Sequence, residues 1–151
     1  MTVEVRPAVV ADVPALLDLY HQLSGGLSPE PPLTLAEAEV EFAGIAADPD
    51  RTVLVATVDG TVAGTVDLLI VRPSLTHGGR PWGAVENVVV DDRYHRRGVG
   101  RALMDEAARR ARTANCHRIQ LLSSARRTEA HAFYRGIGMD ASPQGFRLFF
   151  D

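Results

Sequence analysis

The sequence predicts one α/β domain over residues 1–151, with a central, mostly antiparallel mixed sheet flanked by four helices. Three observations carry that expectation. β-rich and amphipathic runs follow one another with no repeat, low-complexity tract or linker between them. Two β-rich runs meet at Asp59-Gly60, a strong local hairpin signal and hence a sign of antiparallel pairing. The apolar run Val88-Val89-Val90 leads through a basic glycine segment into a helical pattern.

The elements follow in order. Thr2 to Pro7 reads as a first strand. Asp12 is placed to cap a helix whose apolar face is Val13, Leu16, Leu17, Tyr20 and Leu23. Gly25-Gly26 stops it, and Pro29-Glu30-Pro31-Pro32 is loop. Thr34-Leu35-Ala36-Glu37 has capping-box spacing and opens a second helix carrying Ala38, Phe42 and Ile45, which Asp48-Pro49-Asp50 ends. Thr52–Val58 and Thr61–Val71 form the hairpin. Residues 72–81, with Pro73, Gly78, Gly79 and Pro81, read as a mobile connection. Gly83–Val90 is the next strand, followed by the glycine loop and a helix over 98–114. His117–Ser123 is a strand, 128–137 a short helix, and Met139–Asp140 and Gly145–Phe150 close the chain as strands.

Composition narrows the function. The chain is 46% hydrophobic and 23% charged, ordinary for a globular protein, with no apolar run long enough to span a bilayer. No apolar signal core follows Met1, and the lone Cys116 cannot form an internal disulfide, so a cytoplasmic location is expected. All 16 basic residues are arginine, which points to a GC-rich bacterial genome. Charge is uneven: residues 1–90 hold 4 Arg against 12 Asp and Glu, and residues 91–151 hold 12 Arg against 7. The basic half suits an anionic ligand. With net charge −3, few aromatics and no base-reading motif, nucleic acid is not an expected partner.

His95-Arg96-Arg97-Gly98-Val99-Gly100-Arg101 is the segment that would bind such an anion. The first N–H groups of a helix carry partial positive charge, glycine lets the backbone approach closely, and arginine adds paired donors. A nucleotide P-loop would need Gly-Lys-Ser/Thr, and the chain has no lysine. A dinucleotide fingerprint would need a third glycine where Leu103 stands. A basic surface loop with no ligand remains the plain alternative.

The stretch from about residue 84 to 139 resembles the GNAT superfamily of N-acetyltransferases. That family's loop reads Gln/Arg-x-x-Gly-x-Gly/Ala, and His95-Arg96-Arg97-Gly98-Val99-Gly100 corresponds to it. Its later pattern, Ala-x-x-Phe/Tyr-Tyr-x-x-x-Gly-Phe, is matched by Ala130-His131-Ala132-Phe133-Tyr134-Arg135-Gly136-Ile137-Gly138-Met139. The resemblance implies the acyl-CoA N-acyltransferase (GNAT) fold, in which strands 4 and 5 splay apart around the thioester. It implies acetyl-CoA as co-substrate, its pyrophosphate held by backbone N–H groups from Arg96 to Arg101. Val88, Val89 and Val90 would lie along the pantetheine arm, and Phe133 and Arg127 would belong to the cofactor side. Where the family has a leading Gln/Arg this chain has His95, and where it has a small polar residue seven before the tyrosine this chain has Arg127.

Acetyl transfer to an amine needs a base for the amine proton, a donor for the oxyanion and an acid for the thiolate. Glu86, in Val85-Glu86-Asn87-Val88, is the candidate base, a carboxylate expected to be partly desolvated by those valines. A solvent-facing or arginine-paired Glu86 is the alternative, with the amine deprotonated by bulk water. Tyr134 matches the family's thiolate-facing acid, and the Val88 or Val89 amide would polarise the thioester carbonyl. Cys116 and His117 are adjacent on a strand, point to opposite faces and cannot form a dyad. The five histidines show no metal-ligand spacing, so no metal is expected. Trp82 reads as packing or as part of an acceptor wall. The expectation is therefore direct transfer to a primary amine of a small molecule or peptide, with acetyl-CoA and that amine as partners, no membrane, and a homodimer as an allowed assembly. A CoA-binding module without catalysis is the alternative.

Overall fold

A computed structural model describes residues 1–25, 32–72 and 75–150. The expected stop at Gly26, the loop at Pro29-Glu30-Pro31 and Pro73 lie outside the described residues. The chain forms two compact units, Met1–Gln120 and Leu121–Asp151.

The first unit holds a five-stranded sheet in the order β1 (Val3–Pro7), β2 (Arg51–Val58), β3 (Thr61–Val71), β4 (Trp82–Val90) and β5 (Ile119–Gln120). All pairs are antiparallel except β4 with β5. The β2–β3 hairpin turns at Asp59 (φ 49°) and Gly60 (φ 85°), the two successive positive φ values that a tight turn matched to strand twist demands.

Three helices cover the sheet. The α1 helix (Val13–Leu23) and α2 (Leu35–Ala47) pack on one face, where Leu16 meets Val53 and Val55 with Tyr20, Phe42 and Ile45 around them. The α3 helix (Val99–Thr113) covers the other face, which carries Leu54, Val66, Leu68 and Val85. Leu103 and Val99 of α3 would press within 3.1–3.2 Å of any Cβ at Gly64, so glycine there permits close helix–sheet approach.

The capping box holds: the Glu37 N–H donates to Thr34 Oγ1 (3.2 Å), and the Thr34 N–H donates to Glu37 Oε2 (2.9 Å). Asp12 does not cap α1 as expected. Its carboxylate turns back to accept both arms of Arg6 (2.7 and 3.0 Å) and the Val9 N–H (2.8 Å). A bidentate guanidinium competes successfully with an exposed helix N–H. The α1 face is also rotated: Val13, Leu16 and Leu19 are buried, while Leu17 and Leu23 are only half-buried. The strand expected over His117–Ser123 shrinks to Ile119–Gln120.

The second unit carries α4 (Thr128–Gly136). The strands expected at Met139–Asp140 and Gly145–Phe150 are absent. Phe146, Leu148 and Phe150 alternate as a strand would, yet stay 86%, 80% and 92% exposed. Alternation creates a face, but a strand also needs a partner edge, which these residues do not find among the described ones.

Candidate active site

β4 is the spine of the site, and its irregularity matters most. Thr65 pairs with Val89, but Asp67 pairs with Glu86, so β4 spends one more residue than β3 between the two rungs. Asn87 sits in that β-bulge at φ 52°, a left-handed conformation that asparagine tolerates better than the flanking valines would. The extra residue reverses the strand's alternation. Val85 therefore shares the α3 face with Leu68, whereas Val89, four residues on, is buried beside Thr65 on the α1–α2 face. Glu86 shares that second face through its pairing with Asp67.

Glu86 is exposed, so the expected desolvation by its valine neighbours does not occur; the bulge turns the valines elsewhere. The buried carboxylate is instead Asp67, 3% exposed. Its Oδ2 accepts from Asn87 Nδ2 (3.1 Å) and Arg51 Nη2 (3.2 Å), while its Oδ1 is buried and accepts no hydrogen bond. Burial pushes the Asp67 carboxyl above the ordinary carboxylate range, against the pull of Asn87, Arg51 and Tyr20. Burial likewise raises the Tyr20 hydroxyl, and the nearby Asp67 charge adds to the rise.

β5 pairs with β4 only at Gly83–Ile119 and Ala84–Gln120. Beyond Ala84, the outer edge of β4 has no strand partner among the described residues. Val89, with a buried side chain, and the half-buried Val88 and Val90 thus lie on an open backbone edge, which is the splay between strands 4 and 5.

The loop after β4 is built by Asp91. This buried carboxylate accepts from the Arg93 backbone (2.9 Å) and from both arms of the Arg93 side chain (3.1 and 3.0 Å). The Arg93 guanidinium holds its carboxyl down at about 2. Gln22, from the end of α1, clasps the same turn: its Nε2 donates to Asp91 Oδ2 (3.3 Å), and its Oε1 accepts from the Asp92 N–H (3.2 Å). The Tyr94 ring lies under the guanidinium groups of Arg93 and Arg97, each under 6 Å from the ring centre. His95 donates from Nε2 to the Val90 carbonyl (3.0 Å), so it braces the loop.

Arg96 (φ 63°) and Gly98 (φ 79°) then turn the chain into α3. The first helical bond runs from the Ala102 N–H to the Gly98 carbonyl, and no side chain caps the helix. The amides of Val99, Gly100 and Arg101 precede that bond and are the orphan donors of this terminus. Val99's side chain is buried, so it offers backbone alone, while Arg96, Arg97 and Arg101 are exposed cations. This donor set fits a pyrophosphate: amides at a helix start, ringed by guanidinium groups.

In the second unit, Tyr134 is buried and meets Phe133 edge to face at 5.2 Å. Burial raises its phenol, opposed by the Arg127 charge, so it stays protonated at neutral pH. Arg127 is exposed at the start of α4. His131 bonds through Nε2 to the Ser124 carbonyl (2.8 Å) and so fastens the turn before the helix.

Cys116 is buried and its thiol is raised by burial, whereas the His117 ring stacks on His77 at 3.7 Å; the two form no dyad. Trp82 carries the Arg118 guanidinium over its ring. Among the described residues no helix is long and apolar enough to cross a membrane, and no three His, Cys, Asp or Glu side chains cluster as metal ligands.

Sequence reasoning missed Asp67, Asn87, Asp91 and Gln22. Two signals were present: a lone acid inside the strand run Thr61–Val71, and an asparagine interrupting the valines before the loop.

Residues 14–139 match the Acetyltransferase (GNAT) family. The chain is 34% identical over 137 residues to the glucosamine 6-phosphate N-acetyltransferase of Trypanosoma brucei brucei, covering 87% of this chain and 88% of that one. A solved acetyltransferase of Trypanosoma brucei superposes with a TM-score of 0.80 at 28% identity, over 99% and 100% of the two chains. The glucosamine-6-phosphate N-acetyltransferase of Arabidopsis thaliana superposes at 0.86 over the whole of both chains, with 22% identity, a likeness of fold.

Proposed function

The chain belongs to the Acetyltransferase (GNAT) family and is an acetyl-CoA-dependent N-acetyltransferase; we propose that Glu86, the bulged edge of β4 and the loop 95–101 carry a direct transfer to a bound primary amine. The observation behind this reading is the open strand edge that runs straight into uncapped helix amides. Amides of Arg96 to Arg101 hold the pyrophosphate, with the exposed guanidinium groups of Arg96, Arg97 and Arg101 around it. Val88, Val89 and Val90 offer their backbone edge to the pantetheine arm. Acetyl-CoA supplies an activated acyl carbon and a thiolate leaving group.

Glu86 takes the proton from the attacking amine, directly or through water. Its exposure suits a base that must meet an acceptor arriving from solvent. The N–H of Val88 or Val89 donates to the oxygen that becomes negative as the carbon–nitrogen bond forms. Tyr134, kept protonated by burial, gives its proton to the departing sulfur as the carbon–sulfur bond breaks. Phe133 and Arg127 are assigned to the cofactor side on the family motif.

The acceptor is a primary amine on a small molecule or peptide, and glucosamine 6-phosphate heads the panel because the trypanosome relative bears that name. Free-thiol release from acetyl-CoA over amino sugars, their phosphates, polyamines and peptide amines tests the proposal. Glu86→Gln is expected to lower kcat about a hundredfold with KM for acetyl-CoA little changed. Tyr134→Phe is expected to lower kcat by about tenfold or more. Wild-type turnover in both variants would remove these roles. A homodimer and a cytoplasmic location belong to the same proposal; exposed Phe146, Leu148, Phe149 and Phe150 support the dimer, which sedimentation equilibrium reads.

A further inference from the structure

We propose that Asp67 is a positioning residue for acetyl transfer: by holding Asn87 in the β4 bulge, it aims both the Glu86 carboxylate and the Val88–Val89 amides. The inference rests on the proposed roles of Glu86 and β4 and deepens them.

The bulge does not follow from the local sequence. A run of valines favours regular extended backbone, and Asn87 at φ 52° gives up that preference. Something must hold it there, and among the described residues the one side-chain bond Asn87 makes is from Nδ2 to Asp67 Oδ2. Asp67 is fixed from a third strand, because Arg51 of β2 donates to the same oxygen. The carboxylate therefore links β2, β3 and the bulge of β4 at one point.

Burying that carboxylate is costly. It is 3% exposed, one oxygen goes unbonded, and burial raises its carboxyl. An apolar residue would suit the spot better for stability alone, since Val53 is its partner on β2 and Leu16 and Val55 pack close by. What the carboxylate provides instead is geometry. Glu86 stands directly across from Asp67, and Asn87 and Val88 follow it without a break. Release of Asn87 would let the strand return to regular alternation. Every later side chain and amide of β4 would then change face or direction.

The test separates aim from stability. Asn87→Ala removes both the bond and the tolerance of positive φ; Asn87→Gly removes the bond but keeps the backbone free to adopt it. Asp67→Asn keeps an acceptor oxygen of the same shape. Asn87→Ala is expected to lower kcat about tenfold with KM for acetyl-CoA within about twofold, because the phosphate loop begins after Val90. Asn87→Gly and Asp67→Asn are expected to recover part of that loss. A fall in melting temperature with unchanged kcat would overturn the proposal, and so would a loss residing wholly in KM. The link is also read without turnover. The Asn87 side-chain amide protons should exchange slowly in the wild type and quickly in Asp67→Ala, by NMR. Equal exchange overturns the proposal whatever the acceptor panel returns. Slow exchange that Asp67→Ala abolishes, in a protein whose Glu86→Gln variant turns over normally, would keep the link and discard only the role given to Glu86.

Discussion

The two faces of the sheet differ in kind. The α3 face is apolar at its centre: Leu54, Val66, Leu68 and Val85 meet Val99, Leu103 and Ala107, nearly all without solvent contact. The α1–α2 face begins the same way at Leu16, Val53 and Val55, then admits Thr65, Asp67, Arg51, Tyr20 and, at its margin, Glu86. Thr65 satisfies itself by donating to the Leu54 carbonyl at 2.7 Å, but Asp67 leaves an oxygen unbonded. One face secures the fold, while the other spends stability to fix polar groups in place.

Substitutions should separate the faces. Leu103→Ala has the largest expected effect, about 3 kcal/mol of unfolding free energy in urea, with kcat per folded molecule unchanged. Glu86→Gln should do the reverse, lowering kcat about a hundredfold while leaving the urea midpoint in place. If Leu103→Ala also lowered kcat in the folded fraction, the division between the faces would fail. Gly98→Ala is intermediate. Nothing lies within 4 Å of the added Cβ, so only the left-handed backbone resists it, at about 1 kcal/mol. The same change should raise KM for acetyl-CoA, because it disturbs the turn that presents the α3 amides.

The smallest effects lie in the pH dependence, and their signs differ. Asp91 and Glu106 are held near 2 by Arg93 and by Arg109 with Arg110, below the unfolded value of about 4. Their contribution is present above about pH 4 and is lost as pH falls towards 2. Asp67 is raised, so its contribution is present at low pH and is lost as pH rises above about 4. Urea midpoints from pH 2 to 8 should show Asp91→Asn flattening the acid limb and Asp67→Asn flattening the neutral one.

What could be read in the sequence was local. Asp59-Gly60, the Thr34–Glu37 box and the glycine loop each lie within a few residues, where backbone preferences act alone. The fold class followed from the order of the elements, and the GNAT fold from the resemblance over about residues 84–139. The Asp67–Asn87 link of the candidate site was hidden, because the two residues are 20 apart and meet only through strand register. Asp12 misled for a related reason: its cap position was correct, but Arg6 reached it first. The C-terminal alternation of Phe146, Leu148 and Phe150 was legible too, but a pattern in one segment does not reveal whether another edge will receive it.

The exposed guanidinium groups of Arg96, Arg97 and Arg101 have one more chemical consequence. They attract anions without being nucleophiles at neutral pH. A lysine at any of these positions would present an amine to acetyl-CoA bound as proposed. With no lysine anywhere in the chain, no side-chain amine competes with the acceptor. On the proposed reading of the loop, a saturating supply of acetyl-CoA would leave its arginine charges unacylated.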